Sequence, residues 1–194
     1  AQMLLRQVHQ VKRGDTILVH AASGGVGQLL CQWASYLGAT VIGTVGSEEK
    51  AEQARAMGCS HTILYREENF VERVRQITND QGVNVAYDSV GKDTFLGSLA
   101  ALARRGHLVN FGQSSGSIEP IEVSILAPKS NSLTRPGVFH YTVERPMLES
   151  MAGELFALIE QGVLKVRTGE AYPLADAARA HEALESRSRM GTLL

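Results

Sequence analysis

Short apolar runs alternate with amphipathic helical stretches along most of the chain. Leu4 to Val8 reads as a helical lead-in, and Gly14-Asp15 as a turn into the apolar strand Thr16 to Ala21. Val26, Leu29, Leu30, Trp33 and Leu37 then recur at helical spacing and predict a helix over about 25–37, ended by Gly38. The rhythm repeats: strand Thr40 to Val45 and a helix between Ser47 and Gly58; strand His61 to Tyr65 and a helix over about 69–78; strand Val83 to Asp88 and a helix over about 94–102; then strand His107 to Phe111. Near-continuous β-branched runs suit a sheet covered on both faces. Their alternation with helices specifies parallel βαβ units with right-handed crossovers, so the expected fold is α/β, a doubly wound parallel sheet.

The rhythm changes after Gly112. Residues 113–128 carry Gly, Ser and Pro and predict no helix; a strand-like stretch follows around Leu133 to Tyr141. Helices are predicted over about 145–161 and 174–187, and the apolar end Gly191-Thr192-Leu193-Leu194 reads as an interrupted strand. Abrupt starts and stops at both termini read as an excised domain.

The richest local signal is Ala21-Ala22-Ser23-Gly24-Gly25-Val26-Gly27, directly after the first strand and opening the first helix. This is the strand–turn–helix context that a dinucleotide fingerprint requires. Gly24 lets the backbone approach a pyrophosphate, Gly27 lets the helix pack on the strand, and free N–H groups at the positive helix end bind phosphate. Ala22 stands where the first glycine of GxGxxG is usual, so Ser23, Gly24, Gly25 and Val26 are the phosphate candidates. The alternative is a glycine turn needed only for packing.

An NAD site places an acid at the end of the second strand to accept from the ribose 2′-hydroxyl. Here that stretch is Thr44-Val45-Gly46-Ser47, with no acid. Gly46 leaves space, Ser47 donates, Lys50 lies one turn along and Tyr65 ends the third strand; the set suits a 2′-phosphate, hence NADPH. Glu48 and Glu49 oppose this unless they face solvent, and Lys50 is alternatively an ordinary solvated helix lysine. Ligands in such sheets lie beyond the carboxyl ends of the strands. That rule marks Asp88-Ser89-Val90-Gly91 and Phe111-Gly112-Gln113-Ser114, with capping chemistry as the alternative for Asp88 and Ser89 and core packing for Phe111.

Composition narrows the remainder. In 194 residues, 44% are hydrophobic and 20% charged, with a net charge of -1, which gives no electrostatic footprint for nucleic acid or anionic membrane. No apolar run approaches the roughly 18 residues of a membrane span. Cys31 and Cys59 have no metal spacing and supply no disulfide framework; with no leader-like start, a reduced cytoplasmic setting is expected. The six histidines lack metal spacing, and His20 and His107 lie within strands as core residues. Gly112-Gln113-Ser114-Ser115-Gly116 matches G-x-S-x-G, but Ile118, Pro120, Ile121 and Val123 follow where a nucleophile elbow needs a helix. There is no Tyr-x-x-x-Lys and no GxxxxGK[ST].

The sequence resembles the medium-chain dehydrogenase/reductase superfamily, in its zinc-free, zeta-crystallin-like NADPH:quinone oxidoreductase branch. Six stretches carry the resemblance, in order: 14–27; Gly43-Thr44-Val45-Gly46-Ser47 with Lys50; Tyr87-Asp88-Ser89-Val90-Gly91; Asn110-Phe111-Gly112; Leu133-Thr134-Arg135-Pro136; and Ala180-His181-Glu182-Ala183-Leu184-Glu185. The resemblance implies NADPH held by Gly25, Val26, Gly46, Lys50, Tyr65 and Ser89, with the loop from Phe111 through Gly112 to Ser114 near the nicotinamide. It implies hydride transfer to a quinone or activated enone, with an enoyl reductase or a non-catalytic NADPH-binding module as alternatives. It also implies homodimers joined by an edge strand at Leu133 to Phe139. Family members carry an N-terminal barrel-like catalytic domain, so residues 1–194 are expected to be the NADPH-binding Rossmann domain alone. The helix near 174–187 would be directed at that front domain, and turnover by this part alone would be slight. No proton donor stands out, so no catalytic residue is assigned.

Overall fold

The computed structural model describes residues 1–166 and 171–185. Six strands form one parallel sheet in the order β3-β2-β1-β4-β5-β6: β1 Thr16–Val19, β2 Thr40–Val45, β3 His61–Leu64, β4 Val83–Asp88, β5 Leu102–Asn110 and β6 Ser132–Thr134. The order reverses between β1 and β4, whose registers pair Ile17 with Val85 and Val19 with Tyr87. This is the strand order of a doubly wound fold, and it opens a crevice where the first crossover turns away from the fourth strand.

The helices are α1 Gly25–Tyr36, α2 Glu48–Ala56, α3 Phe70–Ile77, α4 Phe95–Ala101, α5 Val138–Tyr141, α6 Arg145–Glu160 and α7 Ala177–Glu185. Strand side chains alternate in direction, so β1 sends Ile17 and Val19 into one apolar layer and Leu18 into the other. The first layer holds Leu30, Trp33 and Ala34 of α1, Ala51 and Ala54 of α2, Met151 and Leu158 of α6, and Met3 to Leu5. The second holds Val74 of α3 with Phe95 and Leu99 of α4. Caps match the sequence signals: the Asn69 carbonyl oxygen Oδ1 accepts from the N–H groups of Val71 and Glu72, and Gly38 closes α1 at φ +85°.

Five elements differ from the sequence expectation. The lead-in Met3–Val8 is a π-helix. β5 starts at Leu102 rather than His107, because Arg105 adopts φ +59° and the pairing with β4 slips between Val83 and Val85. Val123–Lys129 forms a 3-10 helix where none was expected; Lys129 Nζ donates to the carbonyls of Ala100 and Leu102 and ties it to the end of α4.

The edge strand is shorter than the expected Leu133 to Phe139. It ends at Thr134, and Val138–Tyr141 is the short helix α5. Pro136 cannot donate to the ladder, and Gly137 accepts from the His140 N–H to start the helical turn. At the other end, the helix expected near 174–187 is a 3-10 turn, Leu174–Asp176, running into α7. Residues 186–187 and the strand-like Gly191 to Leu194 lie outside the described residues.

Candidate functional site

Because every strand runs the same way, the loops after β1 to β5 all gather at one edge of the sheet. The predicted site residues occupy them: Ser23 to Val26 after β1, Gly46 and Ser47 after β2, Tyr65 after β3, Ser89 after β4, and Phe111, Gly112 and Ser114 after β5.

The glycine turn is built by one left-handed residue and two local hydrogen bonds. Ala21 takes φ +51°, its carbonyl accepts from Gly24 N at 2.9 Å, and Gln28 Nε2 reaches back to Ser23 O at 2.6 Å. A Cβ at Gly27 would lie 2.2 Å from Ala21 O, so only glycine lets α1 sit this close to the turn. Gly24 caps the helix in an extended conformation with no side-chain acceptor, leaving Gly25 and Val26 exposed at the positive end of α1. This is a ready cradle for an anion.

Beside it, Gly46 lies under the ring of Tyr65: a Cβ at Gly46 would stand 2.9 Å from the tyrosine Oη. Ser47 caps α2 by accepting from Lys50 N at 3.4 Å, which places the half-buried Lys50 one turn in. Glu48 is drawn along the helix into an ion pair with Arg55, which also donates to Thr62 Oγ1 at 2.7 Å. That pairing removes one of the two acids counted against a phosphate here. The structure therefore brings Tyr65 onto Gly46, with Ser47 and Lys50 following in the first turn of α2.

The loops after β4 and β5 interlock. Ser114 N donates to Ser89 O at 3.2 Å, and a Cβ at Gly112 would lie 2.6 Å from that same carbonyl. Phe111 is half-buried and packs against the core, so it serves both the loop and the interior. Asp88 is wholly buried and structural: Oδ1 accepts from Val90 N, Gly91 N and Thr94 Oγ1, and Oδ2 accepts from Thr94 Oγ1 and Ser98 Oγ. Of the readings for Asp88, the turn one holds: its carboxylate anchors the Val90–Gly91 turn rather than capping α4, whose N-cap is Thr94. Ser115 N and Oγ both donate to Val90 O, and coil rather than a helix follows Gly116, so the G-x-S-x-G match makes no elbow.

Sequence reasoning missed three groups. Asn110 donates to the carbonyls of Asp88 and Gly112 and accepts from Arg135 of the segment after β6, clamping the β5 loop. Buried His20 bridges Thr44 Oγ1 and Ser98 Oγ, both at 2.9 Å, and the Ser98 hydroxyl donates to Asp88. Cys31 and Cys59 are brought into contact. Only the interior placement of His20 was readable beforehand, although it falls just past β1 and not within it; the pairings need the sheet order.

Sheet order, glycine turn and carboxyl-edge loops together define a Rossmann-type dinucleotide-binding domain. The zinc-binding dehydrogenase family model matches residues 25–153, and the chain belongs to that family. It is 48% identical over 194 residues to quinone oxidoreductase 1 of Escherichia coli (strain K12), covering 98% of this chain and 59% of that one. It is 45% identical over 196 residues to a 2-haloacrylate reductase of Burkholderia sp, covering 100% of this chain and 59% of the relative. The crystal structure of Escherichia coli quinone oxidoreductase complexed with NADPH superposes with a TM-score of 0.94 at 47% identity, over 99% of this chain and 60% of that one. The chain thus spans about three-fifths of the length of these relatives, and its expected kinship with quinone oxidoreductases holds.

The family description names zinc. Among the described residues, no group of three or more His, Cys, Asp or Glu is placed to hold a metal ion, so these residues do not fit one. No described helix is long and apolar enough to cross a membrane.

Proposed function

We propose that the chain is the coenzyme-binding part of an NADPH-dependent quinone oxidoreductase that works without zinc. The observation that carries this is the pairing of an uncapped glycine turn with the Gly46–Tyr65 patch. The turn suits a pyrophosphate. The patch suits a second, smaller anion, since Ser47, Lys50 and Tyr65 supply donors and a cation around the space a glycine leaves. In this reading Ser23, Gly24, Gly25 and Val26 hold the pyrophosphate. Gly46, Ser47, Lys50 and Tyr65 hold the 2′-phosphate, Ser89 borders the adenosine, and Phe111, Gly112 and Ser114 border the nicotinamide.

When bound, NADPH supplies a hydride. The protein's part is to orient the coenzyme and keep its reactive face against the acceptor, away from water. Backbone N–H groups of α1 neutralise the pyrophosphate without a charged side chain. The β5 loop, held by Asn110 and Arg135, sets the wall on the nicotinamide side. The acceptor is a quinone or an electron-poor enone. The Burkholderia relative, whose named substrate is an activated alkene, supports the second chemistry as well.

The parallel strand β6 ends the sheet, and its outer edge is free to pair with a second copy among the described residues. A homodimer is therefore part of the reading, as are a cytoplasmic location, which suits two free thiols, and a front domain against α7. Calorimetric titration of the 194-residue chain tests the core of it. Binding of NADPH that is competed by 2′-phospho-ADP-ribose supports the reading. No heat with NADPH would sink it. Lys50→Ala is expected to weaken NADPH about tenfold and NADH hardly at all, the size of one charged hydrogen bond. Equal losses would reject Lys50 as the 2′-phosphate ligand.

A further inference from the structure

Directly beneath the glycine turn lie two sulfurs that the coenzyme reading does not use. Cys31, inside α1, and Cys59, just before β3, stand 28 positions apart in the chain, yet their Sγ atoms are 3.3 Å apart. Both are free thiols. Small residues make the room: a Cβ at Gly43 of β2 would lie 2.8 Å from Cys59 Sγ and 2.6 Å from Ala22 Cβ. Ala22 belongs to the turn itself, and its carbonyl is 4.0 Å from Cys31 Sγ. A cavity of about 320 Å³ opens between α1 and the α2–β3 turn, lined by Gln32, Ser35, Met57 and Gly58. Gly58, the immediate neighbour of Cys59, lies in its wall, while both cysteines sit behind it in the interior, so a solute reaches them only when this wall opens.

We propose that Cys31 and Cys59 form a redox-active dithiol that a hydroperoxide converts to an intrachain disulfide, and that this disulfide weakens coenzyme binding at the turn above. The second half rests on the coenzyme reading; the first half does not.

The steps balance. The Cys59 thiolate attacks the O–O bond, an S–O bond forms, and the leaving oxygen takes a proton as water or an alcohol. The Cys31 thiol then gives up its proton and attacks the Cys59 sulfur; the S–S bond forms, the S–O bond breaks and water leaves. Two thiols and one hydroperoxide yield one disulfide, one alcohol (or water) and one water. Cys59 is assigned the first attack because its residue is 6% exposed against 0% for Cys31, although its sulfur faces Gly43 and Cys31. The hydrogen bond with Cys59, and then burial, hold the Cys31 thiol well above the ordinary range, so Cys31 is a poor first nucleophile.

Bond formation closes the sulfurs from 3.3 Å to about 2.05 Å. Cys31 rides on the helix whose first residues make the phosphate cradle. Gly27 already touches Ala21 and Ala22 with no slack, so a displacement of α1 is passed to the turn.

The test treats the native 194-residue chain with hydrogen peroxide, then reads intact mass and a non-reducing peptide map. The expected result is a loss of about 2 Da, a cross-link joining the Cys31 and Cys59 peptides, and reversal by dithiothreitol. Unmodified thiols, or sulfinic acid on one cysteine without the cross-link, would overturn the dithiol. In cross-linked protein the NADPH dissociation constant is expected to rise about tenfold; an unchanged value overturns the coupling. Cys31→Ala and Cys59→Ala are each expected to abolish the mass change and to keep NADPH affinity constant under peroxide. The wild-type map needs neither variant to fold. A reduced protein that fails to bind NADPH rejects the coenzyme reading while the cross-link is still scored by mass.

Discussion

The phenol of Tyr65 lies over Gly46, so close that a methyl group on the glycine would stand 2.9 Å from the hydroxyl oxygen. The contact joins the end of β3 to the end of β2 and leaves a hydroxyl, 51% exposed as a residue, beside the Ser47 cap. Removing that hydroxyl tests its role. Tyr65→Phe is expected to weaken NADPH by about tenfold or more, one hydrogen bond to a charged group, and to leave NADH unchanged. Fluorescence titration with both coenzymes measures it, and a parallel loss with NADH would assign Tyr65 to packing alone.

Gly27 is expected to tolerate no side chain. The Cβ of Gly27→Ala would fall 2.2 Å from Ala21 O and 2.9 Å from Ala22 Cα, both backbone atoms that cannot swing away. The helix must shift outward, at a cost of about 1–3 kcal/mol, with loss of the turn geometry. Urea unfolding and NADPH titration of the same variant give the two readouts. Wild-type values in both would contradict the geometry.

Asp88 should matter for stability rather than for chemistry. Truncation by Asp88→Ala strands the N–H groups of Val90 and Gly91 and the hydroxyls of Thr94 and Ser98 in the interior. A loss of about 3 kcal/mol or more is expected, because buried donors are costly to leave unpaired. Asp88→Asn keeps one acceptor and should lose less. Chemical denaturation of the two variants checks the ranking.

Acid should destabilise the protein through its histidines. Burial is the main cause that holds His20 below the ordinary 6.5, with Asp88 opposing it. Burial likewise lowers His9, with Asp15 opposing and Lys12 adding, and lowers His107, with His9 adding. A folded-state pKa below the unfolded one means that the unfolded chain binds more protons in acid. Stability is therefore complete above about pH 6.5 and declines as the pH falls below it. Unfolding midpoints taken from about pH 8 to pH 5 should show this slope. His20→Gln, which keeps a donor and an acceptor for Thr44 and Ser98, should flatten it. An unaltered slope in that variant would show that His20 does not contribute.

Much of the architecture was legible beforehand because it is written in local periodicity. Runs such as Thr16-Ile17-Leu18-Val19 and the helical spacing of Leu30, Trp33 and Leu37 announce parallel βαβ units. The glycines between the first strand and helix announce a tight turn, since backbone clearance depends on residue type at a few adjacent positions. What failed was non-local. Pro136 ends β6 early, Lys129 anchors a 3-10 helix by reaching the carbonyls that end α4, and the β5 start depends on its slip against β4.

Residue order alone therefore determined the sheet class, the position of the glycine turn and the missing acid at the end of β2. Tertiary packing decided the rest. It turned Asp88 into a buried turn anchor, drew Glu48 to Arg55, laid Tyr65 over Gly46 and brought Cys31 against Cys59. The reason is physical. Secondary structure follows from short-range sterics and spacing, whereas these pairings join strands and helices far apart in sequence, and only the folded sheet order sets their distance.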